Sequence, residues 1–457
     1  MQHTTVHEDF LWNEKLQYQS PKEALENLKK IVDSKTGIVR ALVEAARRND
    51  ERKIFWYVAW MCNTSQFSDI NVPRFTNGVS FNKDMAMIQA LGEAVERYCL
   101  SVYRRTEFPV YSCNELGDQA LDLNKVARFS KKQLGNEVFK VFMFDENTKF
   151  RWVKGYSLTQ HRDIFIPAQL VYFFDYNYDL SRVGDEPIIR FPDTNGSAPW
   201  MTLAGAIRHG ICEVVERDAM MITWLNKLPR DRVSIENSHN EYIINLCKIY
   251  EKYGFELYVY DITTDLPIPT MLSIVIDRSS IGPAVVVGTA CNLDPEAAII
   301  KSIEDAKVGP DLRDALLRNP NLDPNKISPM LAHGLFWWGS DKITNLDFLL
   351  KNGKRKEMES LKDLSSNDVT TDLKLMLRTF EEKNIEAAFV DVTTPDIFNE
   401  LGFSVVKVII PELHPIHLLE KFKYLGGNRL YQVPMTLGYK DREPREEELN
   451  RIPHPFT

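Results

Sequence analysis

The feature that most restricts this chain is a motif written twice. LGEAVERYCL, residues 91–100, carries Glu93, Glu96 and Arg97. ICEVVERDAM, residues 211–220, carries Glu213, Glu216 and Arg217. Both copies lie inside an apolar pattern of helical period. On the first, Met87, Leu91, Ala94 and Tyr98 recur on one face; on the second, Ile207, Ile211 and Val215 do so. At about 100° per residue the glutamates fall opposite that face, with the arginine beside them. A single E-x-x-E-R is ordinarily a solvated helix face, its ion pairs worth a few tenths of a kcal/mol each. Two copies, each preceded by Gly, Asn and Ser suited to close backbone approach, call for more. If the helices face each other, four carboxylates meet two arginines. Four such groups cannot all stay ionised without a cation. Mg²⁺ prefers a few oxygen ligands together with phosphate oxygens, and arginine suits phosphate. The pattern therefore predicts a Mg²⁺-nucleotide site without a P-loop, since G-x-x-x-x-G-K-[ST] is absent.

A loose internal repeat surrounds these motifs. Three times a glycine turn leads into an amphipathic helix with a glutamate: Gly78 to Glu93, Gly196 to Glu213, and Gly288 to Glu304. Helices are expected at 202–226, 240–253, 295–308 and 367–382. Strands are expected in 53–64, EVFKVFMF, IFIPAQLVYFF, FELYVYDI, TMLSIVID, GPAVVVGTA, AAFVDVT and GFSVVKVII. Residues 21–50 read as a helix, a D-S-K-T-G turn and the start of another element. The polar segment 320–365, apart from LAHGLFWWG, reads as a surface insertion with Trp337 and Trp338 as a packing anchor. Strands interleaved with helices indicate an α/β or α+β fold.

The bulk numbers exclude several classes. The 457 residues suggest up to about three domains. A net charge of −8 argues against a broad nucleic-acid-binding face. No window approaches the ~18 consecutive apolar residues of a membrane span. The polar start MQHTTVHEDFLWNEKL does not read as a signal peptide. Six scattered cysteines without C-x-x-C suit a reduced, cytoplasmic protein. Cys99 and Cys212 read as packing residues. His414 and His417 have i,i+3 spacing, but Pro415 argues against a helical zinc pair. No G-x-S-x-G, H-E-x-x-H or G-x-G-x-x-G occurs.

From about residue 25 onward the chain resembles the YcaO family, and within it the azoline-forming cyclodehydratases of ribosomal peptide biosynthesis. The resemblance is carried by DSKTGIVRAL, GVSFNKDMAMIQALGEAVERY, NGSAPW with GICEVVERDAMMITW, GTACNLDPEAAIIKSIEDA, VVKVIIPELHPIHL, NRLYQVPMTLGY and LNRIPHPFT. It implies an α/β (α+β) sandwich with mixed sheets, in which amphipathic helices line an ATP site. It implies an N-terminal segment, 1–65, packing on an ATP-binding domain, 66–457. By resemblance, Glu93, Glu96, Glu213 and Glu216 hold Mg²⁺. Ser80, Arg97, Asn195, Arg217 and Glu304 line the nucleotide. Pro453, Pro455 and Thr457 of the tail reach the catalytic site.

The implied reaction turns Cys, Ser or Thr of a ribosomal precursor peptide into thiazoline or oxazoline. The side chain attacks the preceding amide carbonyl, the amide oxygen takes the γ-phosphoryl of ATP, and phosphate leaves with that oxygen. Implied partners are the precursor peptide and a leader-binding protein resembling ubiquitin-activating (E1) enzymes. A flavin dehydrogenase is a further partner where rings are oxidised, and a homodimer is compatible with the resemblance. Nucleic acid and membrane are not expected.

The chain departs from the family pattern in four places. Thr76-Asn77-Gly78 replaces G-K-G, with Lys83 as the candidate substitute. Glu304 is followed by Lys307 and Gly309 rather than E-x-x-Q and arginine. Ala204 and Gly205 stand where acids are frequent, and the tail lacks its last proline. The missing G-K-G lysine and third-motif glutamine motivate a second reading, a non-catalytic YcaO-like scaffold subunit binding peptide or nucleotide; a third is a thioamide- or amidine-forming enzyme, against which the PHPF tail weighs.

Overall fold

The computed structural model describes residues 20–45, 54–173, 186–279, 282–306 and 329–456. The N-terminal third runs α1 (Pro21–Leu28), β1 (Val39–Glu44), β2 (Phe55–Met61), β3 (Phe75–Ser80), α2 (Lys83–Ser101), β4 (Val110–Ser112), β5 (Lys149–Ser157) and β6 (Arg162–Pro167). The middle runs β7 (Ser197–Trp200), α3 (Leu203–Asn226), β8 (Asp231–Ser234), α4 (Glu241–Lys252), β9 (Glu256–Asp261), β10 (Thr270–Ile276), β11 (Val285–Cys291) and α5 (Pro295–Asp305). The remainder holds α6 (Pro329–Phe336), β12 (Arg355–Glu357), α7 (Val369–Glu382), β13 (Ala388–Asp391), β14 (Ser404–Ile409) and α8 (Arg429–Thr436), with shorter helical turns between. The chain forms two compact units, Met1–Val214 with Ser366–Glu412, and Val215–Ser365 with Leu413–Thr457.

The first unit contains two antiparallel sheets. One has the order β1-β2-β3; the other has β4-β5-β13-β14-β7, with β6 pairing β5. The boundary at residue 65 read from the sequence falls between β2 and β3 of the first sheet. Helix α2 starts where the Asn82 side chain accepts the N–H groups of Asp84 and Met85. Its apolar stripe buries Ala86, Ala90, Leu91, Ala94 and Tyr98. Gly78 lets it lie flat on β3, because a Cβ there would fall 2.1 Å from the Ala86 carbonyl oxygen and 2.4 Å from the Ala90 nitrogen.

The second unit is built on one sheet, β11-β10-β9-β8-β12, antiparallel except for the parallel pair β8–β12. Strands β10 and β11 are buried along their whole length, as their near-continuous Val, Ile and Leu require. Its core gathers Trp224, Tyr260, Ile274 and Trp337, with Ile452 and Phe456 packed against it.

The loose repeat has a structural counterpart in two of its three members. β1-β2-β3-α2 and β9-β10-β11-α5 are each an antiparallel meander followed by a helix on its last strand. Gly288 repeats the role of Gly78, since a Cβ there would meet the Ser302 carbonyl oxygen at 2.2 Å and the Ala306 nitrogen at 2.3 Å. Both glycines thus lie in strands, not in the expected turns. Only Gly196, at φ +81°, makes a turn that needs glycine.

Three local expectations are corrected. Much of EVFKVFMF is a 3₁₀ helix, Glu137–Phe142, not a strand. The Asn136 side chain caps it at the Val138 N–H, and Phe139 and Phe142 are buried at the three-residue spacing of that helix. Of the expected surface insertion 320–365, residues 320–328 lie outside the described residues, and 329–365 are not merely a surface segment. Trp337 is fully buried, and β12 joins the sheet. In IFIPAQLVYFF the strand stops at Pro167 and a 3₁₀ turn, Ala168–Leu170, follows.

Candidate active site

In the first unit the side chains of the first motif are largely withdrawn from solvent, Glu93 being the most open at 30% exposed. The side chains of Glu96 and Arg97 are 13% and 18% exposed. Arg97 donates to Glu93 Oε1 at 3.0 Å and to Glu96 Oε1 at 2.5 Å, so one guanidinium spans both glutamates of its motif. The other oxygen of Glu93, Oε2, accepts the Asn77 N–H at 3.1 Å. Glu213 Oε2 accepts the Gly196 N–H at 3.0 Å. Burial pushes the Glu96 carboxyl up to about 8. Arg97 opposes this, and the negative charges of Glu213 and Glu93 reinforce it. Three of the four predicted metal-ligating carboxylates, Glu93, Glu96 and Glu213, are therefore electrostatically one cluster.

A residue that sequence reading missed completes this cluster. Lys407 on β14 is fully buried, and its Nζ donates to the Asp193 carbonyl at 2.8 Å and sits 3.3 Å from Asp193 Oδ1. Its charge acts on Glu96. Burial lowers its pKa, Asp193 works against that, and Arg190 adds repulsion. The signal was present in VVKVII, where a lysine interrupts a strand of otherwise core residues.

Asn195 lies beside this cluster in the turn before β7. Its N–H donates to Asp193 Oδ1 at 3.0 Å, while its buried side-chain Nδ2 has no hydrogen-bond partner among the described residues. An orphaned buried amide donor suits an absent acceptor such as a nucleotide. Ser80 is buried, and its hydroxyl accepts the Asn82 N–H at 3.1 Å, forming the entry to α2. Lys83 lies 3.8 Å from Glu44. Gly205 is required by its surroundings: a Cβ there would lie 2.0 Å from Cδ1 of the Trp200 indole. That contact accounts for the missing acid at position 205.

In the second unit, Glu216 accepts the Thr289 hydroxyl at 2.5 Å and pairs with Arg217 Nη1 at 3.0 Å. Arg217 lies under the Phe456 ring, 4.3 Å from its centroid. Thr289, on β11 beside Gly288, was not anticipated. Neither was Asp218, the next residue of the motif. It is fully buried and held by Arg429 at 2.7 Å, with Asp265 as that arginine's second partner at 2.7 Å. Glu304 accepts the Tyr242 hydroxyl at 2.5 Å. On the same helix it is Lys301 that feels Glu216. Burial pulls the Lys301 pKa down, but Asp305, Glu304 and Glu216 outweigh it and hold it up.

The tail is docked in the second unit. The Trp224 indole donates to the Ile452 carbonyl and the Trp337 indole to the Pro453 carbonyl, both at 3.0 Å. His454 and Pro455 are buried. Thr457 and Lys307 lie outside the described residues. Cys99 and Cys212 are buried, as expected of packing residues, and burial pushes the Cys99 thiol up to about 12. Among the described residues, no helix is long and apolar enough to cross a membrane.

This donor set, hard oxygens with arginine and buried lysine on strand-helix frames, is that of an α+β protein that takes Mg²⁺ with a nucleotide. The chain belongs to the YcaO family: the family model described as YcaO cyclodehydratase, ATP- and Mg²⁺-binding, matches residues 77–414. ATP and Mg²⁺ are the cofactors of that family. An uncharacterized protein of Methanothermobacter thermautotrophicus is 25% identical over 339 residues, 74% of this chain and 80% of its own length. The fold is similar to that of a heterocyclase solved with substrate and cofactor, with a TM-score of 0.78 at 23% identity. The match covers 96% of this chain and 57% of that one, so the chain spans little more than half the length of that heterocyclase. It is also similar to YcaO from Methanopyrus kandleri bound with AMPPCP and Mg²⁺, with a TM-score of 0.59 at 17% identity, covering 87% and 92%.

Proposed function

We propose that this chain is an ATP- and Mg²⁺-dependent cyclodehydratase that forms thiazoline or oxazoline rings from Cys, Ser or Thr of a ribosomal precursor peptide. The observation that carries the reading is the doubled E-x-x-E-R motif, whose Glu93, Glu96 and Glu213 share one buried electrostatic cluster with Arg97 and Lys407. Glu93, Glu96 and Glu213 are assigned to Mg²⁺. Glu216 is given the same role as the fourth glutamate of the repeated motif. Arg97, Arg217, Asn195, Ser80 and Glu304 are assigned to the nucleotide. Bound ATP supplies the phosphoryl group that makes an amide oxygen a leaving group.

The protein's own residues prepare that step. Burial favours the protonated form of Glu96, and a bound cation would favour its carboxylate. Arg97 and Lys407 bring positive charge where negative charge builds up. Trp224 and Trp337 hold the backbone of the tail, so Pro453 and Pro455 carry Phe456 onto Arg217. Thr457 is assigned to the catalytic site with Pro453 and Pro455. A leader-binding E1-like protein is the proposed partner, and a flavin dehydrogenase would act on the product where azoles are made.

The test combines the chain, ATP, Mg²⁺, precursor and leader-binding partner, and reads peptide mass and released phosphate. One water lost per phosphate released is expected, and Glu216→Gln should abolish both. ATP and peptide binding with no change in peptide mass would establish the scaffold reading instead.

A further inference from the structure

Three buried imidazoles surround the docked tail of the second unit. His333 comes from α6, His417 from the loop after Pro415, and His454 from the tail itself. They are 3%, 2% and 0% exposed. The rings of His333 and His454 are 4.3 Å apart between centroids, and those of His417 and His454 are 4.9 Å apart. Glu420 faces them from a short 3₁₀ turn, Glu420–Phe422. Its Oε1 lies 3.2 Å from His333 Nε2 and 3.4 Å from His417 Nε2. Its Oε2 is held by Lys423 Nζ at 2.8 Å, which aims Oε1 at the imidazoles.

The hydrogen bonding of these rings is incomplete. His454 Nε2 lies 2.7 Å from the His417 carbonyl oxygen. A carbonyl can only accept, so Nε2 carries the proton and Nδ1 carries the lone pair. Among the described residues, that Nδ1 and the Nδ1 atoms of His333 and His417 have no hydrogen-bond partner, and the two Nε2 atoms reach only the poorly aligned Glu420 Oε1. Leaving so many polar atoms unmet is costly. A neutral imidazole is the form that binds metal. A ring N–H given to a backbone carbonyl is the usual outer support of a metal-bound histidine.

We propose that His333, Glu420 and His454 form a site for a divalent transition metal of the zinc class, which fastens the C-terminal tail to the body of the second unit. One ligand atom from each residue already lies within 4.8 Å of the others. Bonds of ~2.0–2.1 Å place tetrahedral ligands roughly 3.3 Å apart, so side-chain shifts of about an ångström close the shell. Nitrogen and carboxylate donors favour zinc over magnesium, which separates this site from the carboxylate cluster. The site is built from parts distant in sequence. His417 joins the cluster, whereas its neighbour in LHPIH, His414, turns to the Pro415 and Tyr424 carbonyls.

The test uses the full chain freed of metal by chelation, with Zn²⁺ alone as the probe and Co²⁺ as its spectroscopic substitute. The expected result is one Zn²⁺ per chain with a Kd below ~1 µM and tetrahedral Co²⁺ absorption. Glu420→Gln and His454→Asn should each weaken binding at least tenfold, while Glu213→Gln should leave it intact. Zn²⁺ should also slow carboxypeptidase trimming of the tail in the wild-type protein and not in Glu420→Gln. Glu420 is partly exposed and its change to Gln is nearly isosteric, so this variant decides the matter if His454→Asn does not fold. No zinc above background, binding unchanged in Glu420→Gln, or binding lost in Glu213→Gln would each overturn the proposal.

Discussion

Glu93 and Glu213 do the same work 120 positions apart: each accepts one backbone N–H from the segment that leads into its helix, Asn77 at 3.1 Å and Gly196 at 3.0 Å. The second glutamate of each motif then pairs with the arginine that follows it, Glu96 with Arg97 and Glu216 with Arg217. The repeat is therefore one of bonding as well as of letters.

That division of labour lets folding be tested apart from the proposed metal binding. A glutamine at 93 or 213 keeps a carbonyl oxygen for the backbone N–H and loses the negative charge. Glu93→Gln and Glu213→Gln should fold, with stability changed by no more than about 1–2 kcal/mol. Binding of a Mg²⁺-nucleotide analogue, followed by calorimetry, should fall by at least about tenfold. Normal nucleotide affinity in both variants would remove these glutamates from the site.

Glu96 sets a pH dependence. Its folded pKa of about 8 lies above the ordinary carboxylate value of 4.5. The folded state therefore holds more protons than the unfolded state between those values. Its contribution to stability is complete below 4.5 and is lost as pH rises through about 8. The melting temperature of metal-free protein should decline across that window. Saturating Mg²⁺ with a non-hydrolysable ATP analogue should flatten the decline, because cation binding favours the ionised carboxylate. A thermal-shift series in pH with and without Mg²⁺ checks both halves.

Two glycines on one strand-helix unit should respond in opposite directions. Gly78→Ala would drive a Cβ into helix backbone, which cannot give way as a flexible side chain would. It should cost about 3 kcal/mol or more. Gly92→Ala, inside α2, meets only Pro199 Cγ at 4.0 Å. It should stabilise by up to ~1 kcal/mol through helix propensity. Denaturant titration of the two variants distinguishes the outcomes.

Arg429→Met should leave Asp218 charged and fully buried beside Asp265. The expected loss is about 3–5 kcal/mol. Replacing both Asp218 and Arg429 with apolar residues should recover part of it, measured by a double-mutant cycle.

Removing residues 453–457 takes away the Trp337 acceptor and the Phe456 ring over Arg217. Ring formation should then fall far more than ATP binding, since positioning is lost while the carboxylate cluster stays. Full cyclisation by the truncated chain would show that the tail has no part in the reaction.

Much of this was written in local patterns. The E-x-x-E-R spacing places each pair of carboxylates one helical turn apart whatever else the chain does, because that follows from helix geometry. The apolar period likewise marked a covered face of α2, although α3 is buried almost all round, and the Val- and Ile-rich runs specified β10, β11 and β14. EVFKVFMF shows where this fails, since its aromatic content suits a strand while its three-residue spacing of buried phenylalanines suits the 3₁₀ helix it forms. Partners chosen across long separations were not legible. Lys407 reads as a misplaced charge in a strand until Asp193, Glu96 and Glu213 are seen around it. Asp218 reads as one more acid until Arg429, 211 positions later, encloses it. His333, Glu420 and His454 share no motif, for their meeting depends on where α6, a short turn and the tail are packed. Sequence determines what each segment presents on its faces; which buried charges and donors meet is decided by tertiary packing, because desolvation makes a polar group depend on whatever partner the fold brings to it.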